Sequence, residues 1–190
     1  QAFAPLIGRG FLRFVQGSGD EGAYLVNHPG VADVHLTGSA LTHDLLVWGP
    51  PGAERERRIA ARDPILKKPI TSELGNVSPI VIVPYLYSKD ELWSQARNVA
   101  SQVANNASFN CNAGKMLVLA RGWDQKEMFL AMIEKALSAA PPRKAYYPGA
   151  PDRWERLTEG REGVIKIGAS GPVDGRLPWT MIRDLDAARA

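Results

Sequence analysis

Two side chains, Cys111 and Glu73, combine a reactive type with surroundings that suit covalent and acid–base chemistry. Cys111 is the single cysteine of the chain and lies in a polar, asparagine-rich turn over 105–112. A thiol near backbone amide donors ionises more readily than one in an apolar run, and the thiolate is a nucleophile. Glu73 lies near the end of a predicted strand, where a carboxylate is either a solvated surface group or a base that faces a cleft. The residues alone leave a structural cysteine and a surface glutamate as alternatives.

The segment 17–22 reads Gly-Ser-Gly-Asp-Glu-Gly and matches the pattern G-x-G-x-x-G. It lies between a predicted strand over 11–15 and a predicted helix over 21–27. At such a junction Gly17 and Gly22 would allow positive φ angles and bring backbone amides close to a phosphate. The pattern alone also fits an ordinary glycine-rich turn.

Thr37, Gly38 and Ser39 form a second strand-to-helix junction, after a predicted strand over 31–36. Hydroxyl groups and free amides suit a pyrophosphate there, although a serine at this place is also a common helix N-cap. Because open α/β sheets bind ligands at the carboxyl ends of their strands, we expect Gly38 and Ser39 to lie at a helix N-terminus on that edge.

The elements that must position these residues alternate between strand and helix, which favours β–α–β units and a mainly parallel sheet. The run 79–84 is continuously apolar and predicts a strand buried on both faces. Ser88 with Glu91 forms a capping box that opens an amphipathic helix, and Asp124 with Glu127 indicates another. Further predicted elements are helices over 40–48 and 54–62 and strands over 69–74, 116–120 and 164–167.

The composition excludes several classes of protein. The 23 basic and 20 acidic residues give a net charge of +3 and are interspersed, as in the run 54–58, so no nucleic-acid partner is expected. No apolar run approaches about 18 residues and the start carries no signal-peptide pattern, so we expect a cytoplasmic protein with no membrane partner. The three histidines have no metal-ligand spacing, and no metal is expected.

Taken together, four blocks resemble the aldehyde dehydrogenase superfamily and follow that family's order. The first is the glycine-rich segment with the run 28–39, which is similar to HP-x-V-x-x-V-x-F-T-G-S. The second, 68–79, is similar to KP-V-x-x-E-L-G-G-x-S-P. The third, 106–111, is similar to N-x-G-Q-x-C, and the fourth is the strand over 116–119 with the helix after it.

The resemblance implies oxidation of a small aldehyde to a carboxylic acid, with NAD or NADP as the cofactor. Cys111 would be the nucleophile that carries a thiohemiacetal and then a thioester, and Glu73 would be the general base that activates water. Gly38 and Ser39 would contact the pyrophosphate of the cofactor. The other cofactor-binding residues that the resemblance implies are Gly17, Gly22, Thr37, Leu74 and Gly75.

The implied fold class is α/β, with part of a Rossmann-like parallel-sheet cofactor lobe joined to part of an α/β catalytic lobe. Residues 1–75 would form the second half of the NAD(P)-binding domain, and residues 76–190 the first part of the catalytic, cysteine-bearing domain. Cys111 and Glu73 would meet in the cleft between the lobes. The family's P-W-N and E-x-F-G-P blocks would lie outside the chain, so we expect an internal fragment of a homo-oligomeric enzyme, inactive by itself.

Three positions depart from the family pattern. Asn76 stands where the family has the second glycine of E-L-G-G, and Ser108 and Phe109 stand where it has glycine and glutamine. These departures leave open a catalytically impaired nucleotide-binding or scaffold homologue. A CoA-acylating aldehyde dehydrogenase is the other alternative, and Glu73 weighs against it because that branch needs no base to activate water.

Overall fold

The computed structural model describes residues 2–185, which divide into two compact units at the peptide bond between Gly75 and Asn76. Both units combine helices with parallel strand pairs, so the predicted α/β class is confirmed. The elements of the first unit are α1 (Ala4–Gly8), α2 (Gly19–Asn27), β1 (Val34–Thr37), α3 (Ala40–Trp48), α4 (Ala53–Ala61) and β2 (Ile70–Glu73). The elements of the second unit are β3 (Ser78–Ile82), α5 (Lys89–Ala104), β4 (Gly114–Leu119), α6 (Lys126–Ser138), α7 (Ala150–Thr158), β5 (Val164–Ile167) and β6 (Trp179–Ile182).

The first unit is built around the parallel pair β1–β2, in which Val34 lies opposite Ile70 and Thr37 opposite Glu73. Helix α3 follows β1 after two residues and occupies the predicted range. The ammonium group of Lys68 donates to the carbonyl oxygens of Val26 at 2.7 Å and His28 at 2.6 Å. Because a helix ends with unpaired carbonyl groups, these two hydrogen bonds anchor the C-terminal end of α2 to the start of β2.

The predicted strand over 11–15 is wrong, because residues 12–18 have no regular secondary structure. A strand is stable only when a neighbouring strand pairs its backbone groups, and no strand of the described residues pairs with this segment. Its apolar side chains face water instead, as shown by Phe14, which is 72% exposed.

The core of the second unit lies between helices α5 and α6 and one face of the β3–β4 pair. The predicted capping box at the start of α5 is confirmed, since the Glu91 N–H donates to Ser88 Oγ and the Glu91 carboxylate accepts from the Ser88 N–H. Leu92, Phe129 and Ile133 are each at most 2% exposed and form the centre of this core. Their burial fixes α5, and therefore the turn that follows it.

The expectation that the strand over 79–84 is buried on both faces is wrong. Ile80 and Ile82 pack on the core, whereas Val81 on the opposite face is 65% exposed. The continuous apolar run carries no alternation that distinguishes its two faces, so the sequence alone could not separate them.

Strands β5 and β6 pair antiparallel, with Val164 opposite Ile182. The indole N–H of Trp154 in α7 donates to Thr180 Oγ1 at 2.9 Å, and that of Trp179 donates to the Ala140 carbonyl oxygen at 3.1 Å. These bonds attach α7 and the end of α6 to the hairpin strands. None of the helices in residues 2–185 combines the length and the apolar character that crossing a membrane requires.

Candidate functional site

Cys111 lies in the turn that joins α5 to β4 in the second unit. Its side chain is exposed and forms no disulfide bond. Within residues 2–185 the Cys111 N–H has no hydrogen-bond acceptor, so it is available to a bound group. An accessible thiol beside an open amide donor is the arrangement that nucleophilic attack on a carbonyl requires, because the amide can stabilise the resulting oxyanion.

The turn before Cys111 is strained. Asn106, Ala107 and Ser108 have φ angles of +49°, +55° and +67°, so three consecutive residues other than glycine adopt the left-handed conformation. Asparagine tolerates this region, whereas Ala107 and Ser108 each cost about 1–2 kcal/mol. Strain of this kind persists only where surrounding contacts hold the backbone, and it occurs most often at functional sites.

Lys115 provides one set of such contacts. Its ammonium group donates to the Ser108 carbonyl oxygen at 2.7 Å, to Ser108 Oγ at 3.0 Å and to the Ala113 carbonyl oxygen at 3.2 Å. Partial burial of this group lowers the pKa of Lys115. The ammonium thus bridges the two sides of the turn, one before and one after Cys111.

Side-chain amides and aromatic rings hold the outer part of the same turn. Asn106 Nδ2 donates to Tyr146 Oη at 2.7 Å and to Asn110 Oδ1 at 3.1 Å. The Phe109 ring lies 4.9 Å from that of Tyr146 and 5.5 Å from that of Tyr147, centroid to centroid. Such ring pairs contribute about 0.5–1.5 kcal/mol beyond the area they bury. Phe109 therefore anchors the turn to the segment after α6.

Ser78, the first residue of β3, also contacts the turn. Its hydroxyl group donates to the Cys111 carbonyl oxygen at 2.9 Å. This hydrogen bond joins the second family block, which ends at 79, to the third, which ends at Cys111.

In the first unit, Thr37, Gly38 and Ser39 lie at the carboxyl end of β1 and at the start of α3, as the sequence predicted. Ser39 is the N-cap, and its Oγ accepts from the Thr42 N–H at 3.1 Å. The first backbone bond of the helix is donated by the His43 N–H to the Ser39 carbonyl oxygen. Within residues 2–185 this leaves the Ala40 and Leu41 N–H groups without an acceptor. A helix N-terminus of this kind binds anions.

Glu73 is the last residue of β2 and lies opposite Thr37 at the same edge of the pair. The Gly38 N–H donates to the Glu73 carbonyl oxygen at 3.0 Å, and the Glu73 side chain is exposed. Leu74 is half-buried, and a Cβ added at Gly75 would meet no atom within 4 Å. Glu73 belongs to the first unit and Cys111 to the second, and their meeting in one cleft stays a prediction.

Gly17 and Gly22 do not have the backbone geometry that the G-x-G-x-x-G pattern predicts for them. In the described residues before 17 there is no strand, and neither glycine has a positive φ. Gly22 lies inside α2, where its N–H donates to the Ser18 carbonyl oxygen. Ser18 and Glu21 form a capping box, so a carboxylate already occupies this helix start, where it would repel a phosphate. The helix predicted over 21–27 is confirmed, but its beginning is an ordinary cap.

The sequence reasoning missed four residues that hold the Cys111 turn: Ser78, Asn106, Lys115 and Tyr146. Ser78 and Asn106 lie within the blocks that resemble the family, so the sequence does single out the segments that contain them. Lys115 and Tyr146 act by folding back from a strand and from a distant loop, and nothing in the local sequence indicates this. Among residues 2–185 no group of His, Cys, Asp or Glu side chains is placed to hold a metal ion.

No family model matches the chain. A betaine aldehyde dehydrogenase of Rhizobium etli is 30% identical in an alignment of 156 positions that covers 67% of this chain and 29% of that protein. Betaine aldehyde dehydrogenase 2 of Rhizobium meliloti is 32% identical over 132 residues, which is 68% of this chain and 23% of that protein. The chain therefore spans less than a third of the length of these relatives.

Among solved structures, a cysteine-to-alanine variant of aldehyde dehydrogenase C from Pseudomonas syringae, in complex with NAD+ and octanal, matches 71% of this chain and 25% of its own. The TM-score is 0.50 at 20% sequence identity, a likeness that concerns the fold alone. The chain belongs to the aldehyde dehydrogenase superfamily.

Proposed function

We propose that the whole protein oxidises an aldehyde to a carboxylic acid with NAD or NADP, and that Cys111 is its nucleophile. The observation that carries the proposal is the exposed Cys111 thiol beside its own unpaired N–H, at the end of the strained turn. The curated relatives, which are named as betaine aldehyde dehydrogenases, support the reaction class.

In the first step the Cys111 thiolate adds to the aldehyde carbonyl carbon, and the carbonyl oxygen becomes an oxyanion. The Cys111 N–H stabilises that oxyanion, because a fixed amide donor needs no reorganisation as charge develops. When bound, NAD or NADP supplies the hydride acceptor that converts this adduct to a thioester.

The residues at the β1–β2 edge fit a dinucleotide. Gly38 presents no side chain, and Ser39 caps the nine-residue helix α3, whose Ala40 and Leu41 N–H groups have no acceptor within residues 2–185. A pyrophosphate needs both a close approach of backbone and unpaired N–H donors. Thr37, Gly38 and Ser39 would hold this group. Gly17 and Gly22 are not assigned to it, because neither has the positive φ on which that assignment rested.

Glu73 would act in the last step. Its carboxylate takes a proton from a water molecule, whose oxygen attacks the thioester carbonyl carbon. The carbon–sulfur bond then breaks, the carboxylic acid leaves, and the thiolate of Cys111 is restored. The exposure of Glu73 at the end of β2 supports this role, which requires a carboxylate open to water.

The proposed substrate class is a small aldehyde. Homo-oligomeric assembly and a cytoplasmic location are further proposals for the whole protein.

The test is the formation of NADH or NADPH by the whole protein with a panel of aldehydes that includes betaine aldehyde and octanal. Cys111→Ser is expected to abolish turnover. Glu73→Gln is expected to leave a single-turnover burst of NADH and to stop steady-state turnover, because the thioester forms but is not hydrolysed.

Matched controls are Asn112→Ala, next to the nucleophile, and Glu56→Gln, an exposed carboxylate on α4. Both are expected to retain the activity of the parent protein. Full activity of Cys111→Ser would contradict the proposed function. Acylation of added coenzyme A with Glu73→Gln unimpaired would identify the CoA-acylating alternative, and a protein without turnover on any aldehyde would identify the impaired homologue.

A further inference from the structure

The left-handed turn 106–108 is a costly conformation for its sequence, and something in the structure must hold it. Ser108 is the most demanding position, because its φ of +67° favours glycine, the residue that the family pattern has there. The Ser108 side chain also takes part in the contacts of the turn, because its Oγ accepts a hydrogen bond from Lys115 Nζ at 3.0 Å. The serine thus adds strain and, at the same time, a ligand for the lysine.

Lys115 uses its three ammonium hydrogens on three oxygens of the turn. Two of these oxygens belong to Ser108 and the third to Ala113, so the contacts are made on both sides of Cys111. The main chain of Lys115 lies in β4, which pairs with β3 from Ser78 to Ile82. The turn is therefore attached to a paired strand rather than to another loop.

From these contacts we infer that Lys115 is a positioning residue for Cys111: it clamps the strained turn through Ser108 and fixes the backbone that carries the nucleophile. This inference rests on the proposed function for its relevance to turnover. The clamp itself is a property of the chain and is tested without catalysis.

The clamp has a clear chemical requirement. A cation with several donors must reach both Ser108 oxygens, which arginine can do and methionine cannot, although methionine has a stem of similar length. Without the ammonium, the Ser108 oxygens lose their link to β4, and the turn can leave the conformation that presents the Cys111 thiol at the surface. Removing the ammonium should therefore slow the reactions of Cys111.

The direct experiment measures the alkylation of Cys111 by iodoacetamide at one fixed pH, followed by mass spectrometry. Because the chain has a single cysteine, each addition reports this site alone. Lys115→Met is expected to slow alkylation by at least about threefold, and Lys115→Arg is expected to restore most of the parent rate. Lys89→Met, an exposed lysine in the first turn of α5, is the matched control and should leave the rate unchanged.

A double-mutant cycle separates the clamp from general stability. Ser108→Gly relieves the strain and removes the hydroxyl ligand, so Lys115→Met should slow alkylation less in that background than in the parent chain. Ser88→Ala, which weakens α5 at its capping box, should lower the melting temperature without changing the alkylation rate.

An unchanged or faster rate in Lys115→Met, an equal loss in Lys115→Arg, or strictly additive effects in the cycle would each overturn the inference. In the whole protein, Lys115→Met is expected to lower kcat about tenfold and to leave the KM for the cofactor within about twofold. If Cys111→Ser has full activity, the proposed function fails, whatever Lys115 does. If Cys111→Ser is inactive and Lys115→Met is unimpaired, the positioning role alone fails.

Discussion

The Ser78 hydroxyl group donates a hydrogen bond of 2.9 Å to the carbonyl oxygen of Cys111. Ser78 begins β3, whose Ile80 and Ile82 pack on the core, whereas Cys111 lies in an exposed turn. The bond therefore connects the candidate nucleophile to a part of the fold that is fixed by burial. The Lys115 contacts at Ser108 and Ala113 flank Cys111, so the turn is tied both to β3 through Ser78 and to β4 through Lys115.

Ser78→Ala removes this connection. A typical hydrogen bond contributes about 1 kcal/mol, so we expect about a fivefold fall in the kcat of the whole protein if the bond is needed for the reactive geometry. The KM for the cofactor should not change, because Ser78 lies in the second unit and the candidate cofactor residues lie in the first. Steady-state kinetics measures both.

Ser101→Ala is the control for this prediction, since Ser101 is an exposed serine on α5. It should leave kcat and KM unchanged. A Ser78→Ala protein with the parent kcat would show that Lys115 and the aromatic contacts are sufficient to hold Cys111.

Gly38→Ala separates the demands of the fold from those of the cofactor. A Cβ at position 38 would lie 3.5 Å from Leu36 Cδ1, an ordinary van der Waals distance, and Gly38 has no positive φ. The fold should therefore tolerate alanine. The new methyl group would stand where the backbone approaches a pyrophosphate, so we expect a rise of about tenfold in the KM for NAD or NADP, equivalent to about 1.4 kcal/mol.

Gly122→Ala is the matched control, because a Cβ there meets no atom within 4 Å. Both variants should melt within a few degrees of the parent. Equal KM values for the parent and Gly38→Ala would remove Gly38 from the cofactor site.

The stability of the chain should depend on pH through Glu54 in the first turn of α4. A hydrogen bond from Arg57 is the main cause that lowers the pKa of Glu54 from its ordinary 4.5 to about 2. A folded-state pKa below the unfolded one means that the contribution is present above pH 4.5 and is lost as the pH falls towards 2. Both side chains are exposed, so salt should weaken the effect.

The measurement is the melting temperature of the parent and of Glu54→Gln across this pH range. The parent should melt higher at pH 7, and the difference should vanish near pH 2. Glu56→Gln, which changes a neighbouring exposed carboxylate, should give a difference without that dependence. A Glu54→Gln difference that persists at low pH would assign the effect to helix propensity instead of the ion pair.

The sequence predicted best those features that depend on neighbouring residues. The capping box of Ser88 and Glu91 and the buried stripe of α5 follow from local spacing, and both are found. The second cap was wrong: α6 has Gln125 as its N-cap, and Gln125 instead exchanges hydrogen bonds with the Tyr87 backbone at 2.9 and 2.8 Å. That bond joins residues far apart in the sequence, so no local pattern indicates it.

The strands and the candidate site likewise combine features that neighbouring residues determine with features that depend on residues far apart in the sequence. Strand β6 was not predicted, because its pairing with β5 joins Ile182 to Val164 across a long loop. The types of Cys111 and Ser39 indicated their chemistry, and Ser39 was placed correctly at the start of α3. The strain at Ser108 and its clamp by Lys115 required the backbone angles, which residue types do not specify.

The last prediction compares two leucines of the second unit that are six positions apart. Leu92 is 1% exposed in the core that fixes α5, whereas Leu86, in the loop before this helix, is 82% exposed. Leu92→Ala should lower the free energy of unfolding by about 2–5 kcal/mol, because it removes buried methyl groups and leaves a cavity among well-packed neighbours. Leu86→Ala should change it by less than about 0.5 kcal/mol, since the same atoms are already in water. Urea unfolding followed by circular dichroism measures both. Because α5 leads into the Cys111 turn, the alkylation of Cys111 in Leu92→Ala should also become multiphasic near the midpoint of unfolding. An equal loss of stability in Leu92→Ala and Leu86→Ala would mean that Leu92 is not part of the core.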